Sequence, residues 1–374
     1  MELPKDFEQF LKEIRPTEKQ REDLKIGHKT LREQLRADEE LSPLIISDFL
    51  QGSYKRATAV RPKADRRADV DIIVVTNLDE NKYNPQQAID LFKPFVEKHY
   101  KGKYRIQGRS IGIERSYVDL DLVVTSAPSA MDSKILLSKT LTTDSDIEEA
   151  RDWRLHPSWL GLDNRQFEGA RDQLAKAQRE KEWESHPLRI PDRDANKWED
   201  THPLEQIRWT RDKNAACNGH FVNVVKAVKW WRLENHSEPE QPKSFPLERL
   251  VGECCRDDIG SIAEGIATTL EAIVFNYASA VASGSKPKLP DYGVSMDVFR
   301  RVSVEDFAEF YRQAKDGAAI ARQAFDSNDY AESGNLWRKL FGSKFPEPPA
   351  NGGKKSGGFT RRAGITIPGA GRFA

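Results

Sequence analysis

Gln51-Gly52-Ser53 is followed, sixteen residues after Ser53, by Asp69-Val70-Asp71 and then by the apolar run Ile72-Ile73-Val74-Val75. Alternate side chains of a strand share a face, so Asp69 and Asp71 project together and the apolar run fixes them at the end of a sheet. Two carboxylates on one edge can hold a divalent metal. A Gly-Ser turn just upstream offers backbone N–H groups, a hydroxyl and close main-chain approach, which suit a triphosphate. A third carboxylate is expected from Tyr117-Val118-Asp119-Leu120-Asp121-Leu122-Val123-Val124, where Asp119 and Asp121 share a face. Asp121 is the better candidate, because it runs into an apolar stretch as Asp71 does. Three carboxylates holding two Mg²⁺ ions about 4 Å apart would polarise an attacking hydroxyl and stabilise a leaving pyrophosphate, and that is nucleotidyl transfer. An isolated Asp-x-Asp is ordinarily a solvated strand end; the turn before it and the second Asp strand after it decide otherwise.

The elements that must position these groups follow from periodicity. Residues 6 to 38 carry apolar positions at helical spacing, split by Pro16. Strand-like runs lie at 44 to 50, 70 to 76, 103 to 107 and 117 to 125, with an amphipathic helix from Pro85 to His99. The pattern predicts a mostly antiparallel sheet in an α+β chain. Residues 130 to 205 are polar and punctuated by tryptophan, with a charged helix near 165 to 184 and the Trp153 to Trp209 group packing at a domain junction. From Pro203 to about Phe341 the pattern is helical. After Phe345, Pro346-Glu347-Pro348-Pro349 opens a Gly-, Lys- and Arg-containing tail without the apolar content to fold.

Composition narrows the function classes. The 374 residues are 38% hydrophobic, with 17 Phe and 8 Trp, enough for sizeable cores in two domains. Basic and acidic side chains number 59 each, so no global field draws a long polyanion, and no obligate nucleic-acid partner is implied. Cys217, Cys254 and Cys255 lack metal-ligand spacing and read as reduced, buried thiols of a cytoplasmic protein. No apolar signal core opens the chain, and no run of about 18 apolar residues suggests a membrane span. The basic cluster Lys55, Arg56, Arg61, Lys63, Arg66 and Arg67 reads as a local rim that offsets nearby acids and a triphosphate. Arg109 either adds to that rim or serves the surface. The scattered histidines make no zinc spacing.

Gly52-Ser53, the Asp69-x-Asp71 pair and Asp121 in an apolar strand resemble the nucleotidyltransferase superfamily with a polymerase-β-like core. Within it the chain is similar to the cGAS/DncV-like nucleotidyltransferases (CD-NTases) of bacterial anti-phage (CBASS) signalling, most of all to their clade D. The resemblance implies a nucleotidyltransferase palm braced by an N-terminal helix and an all-α second domain, with the active site in the cleft between them. It divides the chain into 1–205, 206–345 and a tail of 346–374. It implies Mg²⁺, replaceable by Mn²⁺, and ATP with GTP as substrates. The product would be a 3′-linked cyclic oligonucleotide, an adenine-containing trinucleotide by clade likeness. In the resembled family a Lys-x-Trp helix, followed by a polar and an aromatic residue, grips the triphosphate and stacks the base. By that match Lys229 and Ser244 bind phosphates and Phe245, where the family more often has Tyr, stacks a purine. On its own Phe245 reads as core and Lys229 as a helix lysine. Gln51 is a phosphate or ribose contact, or else anchors the turn. Asn196 lies in a segment that resembles the family's base-reading lid; its other reading is a turn before Trp198. Gly369-Ala370-Gly371-Arg372-Phe373-Ala374 resembles termini joined to targets by ubiquitin-ligation-like partner enzymes through the last residue, here Ala374. The alternatives are a template-free transferase acting on RNA or a small acceptor, and a nucleotide-binding regulator with a vestigial site. Three adjacent acids, whose mutual repulsion costs stability without metal, argue against the last.

Overall fold

The computed structural model describes residues 1–63, 67–127, 187–235 and 240–349. The expected helix near 165 to 184, Trp153, Trp159, Trp183, Arg66 and the terminal segment with Ala374 lie outside the described residues.

Helices α1 (Pro4–Ile14) and α2 (Glu18–Ala37) open the chain. Arg15, extended as a residue before proline must be, separates them at Pro16. Thr17 and Gln20 cap α2 reciprocally, a motif in which the N-cap alone is worth about 1 kcal/mol. The sheet strands are β1 (Ile45–Gln51), β2 (Ala68–Thr76), β3 (Tyr104–Ile106), β4 (Ile111–Glu114), β5 (Val118–Ser126), β6 (Leu188–Asp192) and β7 (Lys197–Thr201). Their order is β1-β2-β5-β4-β3, with β6 attached to β5 and β7 to β6. Every pair is antiparallel except the central one, β2 with β5.

That central pair reads as apolar on both faces because it is covered on both. Val70, Ile72, Val74, Leu120, Leu122 and Val124 pack with Leu24, Leu31 and Leu35 of α2. Helices α4 (Pro85–Asp90) and α5 (Lys93–Tyr100) add Ile89, Phe95 and Val96 to the same layer. The single helix expected from Pro85 to His99 is thus two, because Pro94 lacks an N–H and is accommodated only in a first turn. On the opposite face Ile73, Val75 and Val123 meet Ile46, Leu188 and Ile190. The β6–β7 hairpin was not foreseen as strands: Pro191 and a polar tip broke the alternation that marks them.

The helical half comprises α6 (Pro203–Ala216), α7 (Phe221–Asn235), α8 (Ser244–Cys254), α9 (Ile262–Ala282), α10 (Val304–Asp326) and α11 (Tyr330–Phe341). Its core runs from Phe221 to Phe345 and takes in Phe7, Phe10, Leu11 and Ile14 of α1, so the first helix packs with the helical half while α2 packs on the sheet. Phe7, Phe10, Phe341 and Phe345 form one aromatic group. Among the described residues, α9 alone has the length and apolar content of a membrane span, but its first half is core and Glu271 pairs with Arg322 of α10. All three cysteines are buried and unbridged, with the Cys217 and Cys255 sulfurs 4.0 Å apart. Trp209 stacks on Tyr292, and Trp198 Nε1 donates to the Tyr83 carbonyl oxygen, so both serve packing as expected.

Candidate active site

The parallel register of β2 and β5 sets Asp69 opposite Asp119 and Asp71 opposite Asp121. All four carboxylates therefore lie on one face, at the N-terminal halves of the two strands. The two rows differ in their partners. Asp119 is neutralised by Arg67 (3.4 Å) and Arg105 (3.5 Å). Among the described residues, the hydrogen-bond donor to Asp121 is Gln107 Nε2 (3.2 Å). Gly112, its antiparallel neighbour, leaves the room: a Cβ there would come 2.6 Å from Gln107 Nε2 and 3.2 Å from Asp121 Oδ1.

Gln51 pairs with Asp71 across β1 and β2, and the chain then turns at once into the short helix α3 (Gly52–Lys55). Gly52 takes φ +81° at this turn, and a Cβ on it would lie 1.7 Å from Asp71 Oδ2. The Gly-Ser turn is thus pressed directly against the central carboxylate. Gln51 Nε2 donates to Gln206 Oε1, whose own Nε2 donates to Asp291 Oδ2 (2.8 Å). This chain of amides joins the sheet to the helical half.

Crowding shifts the acids. The Asp71 carboxyl is pushed up to about 8, by burial first and then by the charges of Asp69 and Asp121, against the pull of Arg56. Asp121 is pushed up to about 6, again by burial first and then by Asp69. Asp69 is raised by burial and held back by Lys229. Asp69 is exposed by its own surface area, and the dense protein around it disfavours charge nonetheless. An all-oxygen donor set whose members repel one another suits a hard divalent cation. Among the described residues no group of three or more Asp, Glu, His or Cys side chains is arranged as a ready-made metal site. Mg²⁺ does not require one, since it is commonly held by one or two carboxylates together with substrate phosphates.

A pH dependence follows. The folded-state values of Asp71 and Asp121 lie above those of an unfolded chain, so the stability they confer is present below about pH 4 and is lost as pH rises through 6 and 8. Without divalent metal, Asp71→Asn should therefore raise the melting temperature relative to the parent by a few degrees at pH 8 and hardly at all at pH 5. Added Mg²⁺ should stabilise the parent more at pH 8 than at pH 6. Thermal melts at the three pH values check this, and a mutant advantage that does not grow with pH would contradict the shifted acids.

A second cluster adjoins the carboxylates. Lys229 of α7 is buried and donates to Glu248 Oε1 (2.7 Å) and to the Thr58 carbonyl (3.1 Å). Arg56 Nε donates to Glu248 Oε2 (3.1 Å), and Ser244 Oγ lies 3.4 Å from Glu248 Oε1. Burial would raise the Glu248 carboxyl, but the charges and hydrogen bonds of Arg56 and Lys229 overcome it and hold it at about 2. The Arg56 guanidinium sits 4.8 Å over the Phe245 ring, covering one face of it. Arg56 is thus not part of a solvated rim, as its neighbours in sequence suggested. It is only 5% exposed, and its Nη1 is buried without a hydrogen-bond partner among the described residues, at a cost of about 1–3 kcal/mol for such a group. Glu248 was missed in the sequence. Its place four residues after Ser244, on the same side of α8, was the available signal.

Of the residues expected at the site, the structure gathers Gln51, Gly52, Ser53, Asp69, Asp71 and Asp121 on the sheet, and Lys229, Ser244 and Phe245 on the facing helices. Asn196 stands apart at the exposed tip of the β6–β7 hairpin, with φ 47° and its N–H donating to Arg193 O (3.3 Å). That is a turn conformation, and no described hydrogen bond ties Asn196 to the carboxylates. Arg109 is neither rim nor plain surface. It bonds Asp192 (2.7 Å) and Glu199, and Arg300 reaches the same Glu199 (2.7 Å), so the hairpin is tied to both halves. A cavity of about 210 Å³ opens beside Asp71, lined by Gln51, Arg109, Ser110, Thr201 and Pro203 among others.

Residues 1–126 match the family model of the Second Messenger Oligonucleotide or Dinucleotide Synthetase domain. The chain is 49% identical to the probable cyclic AMP-AMP-GMP nucleotide synthase of Salmonella paratyphi B, and 47% identical to the cyclic AMP-AMP-GMP synthase of Enterobacter hormaechei subsp. hoffmannii (strain UCI 50). Each alignment covers 100% of both chains. Its fold is similar to that of the Bradyrhizobium diazoefficiens CD-NTase CdnG solved with GTP. The TM-score is 0.64 at 12% identity, covering 90% of this chain and 94% of that one.

Proposed function

Because the chain belongs to the CD-NTase family of second-messenger synthases, we propose that it joins ATP and GTP into cyclic AMP-AMP-GMP, a signal in anti-phage defence. The observation that carries the reading is the pairing of Asp69-x-Asp71 with Asp121 in parallel register, against a Gly-Ser turn that only glycine permits. Full-length identity to synthases of that product supports the choice of bases.

Asp69, Asp71 and Asp121 would hold two Mg²⁺ ions, with Mn²⁺ able to substitute. When bound, such ions activate the attacking 3′-hydroxyl and neutralise the pyrophosphate that leaves. The residues of the chain do the rest. Gln51, Gly52 and Ser53 approach the donor phosphates with N–H groups and a hydroxyl, and Gly52 allows main chain and carboxylate to share one small space. Lys229 and Ser244 meet the same phosphates from the helical half, residues 206–345. Both are engaged by Glu248, which keeps them at fixed spacing. Phe245 offers its uncovered face to the donor base, where stacking is worth about 1–3 kcal/mol and tolerates any base. The cavity beside Asp71 shares no lining residue with that cluster and receives the acceptor. Base identity must then be read by hydrogen bonds, for which Asn196, at the hairpin tip, becomes available if the hairpin closes over the cleft. Clade D membership and conjugation through Ala374 belong to the same reading and rest on the resemblance, and a cytoplasmic setting rests on the three unbridged cysteines.

The test is direct. Purified protein incubated with the four NTPs and Mg²⁺ or Mn²⁺, then with phosphatase, should leave a resistant cyclic product containing two adenines and one guanine by mass. Linear products alone would favour a template-free transferase, and no turnover with any combination would favour a regulator.

A further inference from the structure

Arg56 is the charged group whose position the mechanism above leaves unused. Its Nε is committed to Glu248, its plane lies over Phe245, and its Nη1 is buried with no acceptor among the described residues. Glu248 pairs with both Arg56 and Lys229, so one carboxylate is shared between two buried cations. A buried guanidinium N–H without an acceptor among the described residues, on a cation that shares its ion-pair partner with a second cation, marks a seat for an anionic oxygen. Arg56 is also the residue immediately after α3, so its backbone is fixed by the Gly-Ser turn, its N–H donating to Gly52 O (3.1 Å).

We propose that Arg56 is a phosphate ligand of the donor triphosphate, presenting Nη1 from the palm while Lys229 approaches from the helical half. The inference rests on the donor-site reading above and adds a forked contact to it, one that a point-charge ammonium cannot reproduce. The terminal phosphates would then be gripped from both halves at once, and their release as pyrophosphate would free that grip.

Two variants test it. Arg56→Lys keeps the charge and removes the fork. Arg56→Gln combined with Glu248→Gln removes one charge of each sign, so the group keeps the parent's net charge while the amide oxygen at 248 can still accept from Lys229. In each, the KM for ATP should rise at least tenfold with kcat within about threefold. Inorganic tripolyphosphate should lose potency as a competitor of ATP by a similar factor, while adenosine binding stays within twofold. The assignment is overturned if tripolyphosphate competes as well as in the parent in whichever variant folds, or if adenosine binding falls equally. A parent enzyme that neither binds ATP nor makes product would instead overturn the functional reading itself.

Discussion

Replacing Asp69 and Asp71 together by asparagine should reduce cyclic product by at least about 10³-fold, the scale on which loss of preorganised charge stabilisation is felt. The fold should survive. Both side chains face the cleft, and the substitution relieves the repulsion and burial that push the Asp71 carboxyl up to about 8. The companion substitutions make the result diagnostic. Asp121→Asn should match the double mutant, because Asp121 lies opposite Asp71 and its hydrogen-bond donor among the described residues is an amide. Asp119→Asn should leave turnover within about threefold of the parent, since Arg67 and Arg105 already occupy that carboxylate. Product assayed by phosphatase resistance and mass, alongside thermal melts, decides the matter. If the Asp119 and Asp121 results came out interchanged, the third ligand would have to be reassigned.

Gly52→Ala should be nearly as damaging by a different route. At φ +81° an alanine costs about 1–2 kcal/mol in backbone strain alone. Its Cβ would also fall 1.7 Å from Asp71 Oδ2, so either the turn or the carboxylate must move. Turnover should drop at least about 10²-fold, in line with the sensitivity of catalysis to ångström-scale misplacement. Gly102→Ala is the matched control. Gly102 has φ +71°, and nothing lies within 4 Å of the Cβ it would gain. It should show a comparable loss of melting temperature with activity retained. Activity preserved in Gly52→Ala would mean that the turn and Asp71 need not touch in the working enzyme.

The two central strands and the face their carboxylates share were legible in the sequence because their signal is local and redundant. Alternation places Asp69 with Asp71 and Asp119 with Asp121, and apolar runs mark both strands as interior. The choice of Asp121 over Asp119 was argued from the apolar stretch that follows it. The structure separates the two on another ground, the arginines that hold Asp119, which lie far off in sequence. Arg56 shows the limit. Inside a run of basic residues its composition says solvent, and only the arrival of Glu248 from 192 residues away makes a buried cation tolerable. The β6–β7 hairpin was missed for a related reason, since β6 touches the main sheet by a single pairing, Ser126 with Arg189, its apolar face is carried by Leu188 and Ile190, and the arginines that tie it down, Arg109 and Arg300, are remote in sequence.

The parallel register of β2 and β5 also governs when the protein can signal at all. A slip of one residue would leave the two strands paired but would turn every side chain of the slipped strand to the other face. Asp121 would then be buried against α2 and α5, away from Asp71, and no partial site would remain. Competence to make a messenger is therefore all-or-none with respect to this one pairing. A newly made or damaged chain is silent until its central strands are in register, so a misfolded copy can fail to raise an alarm but cannot raise a false one.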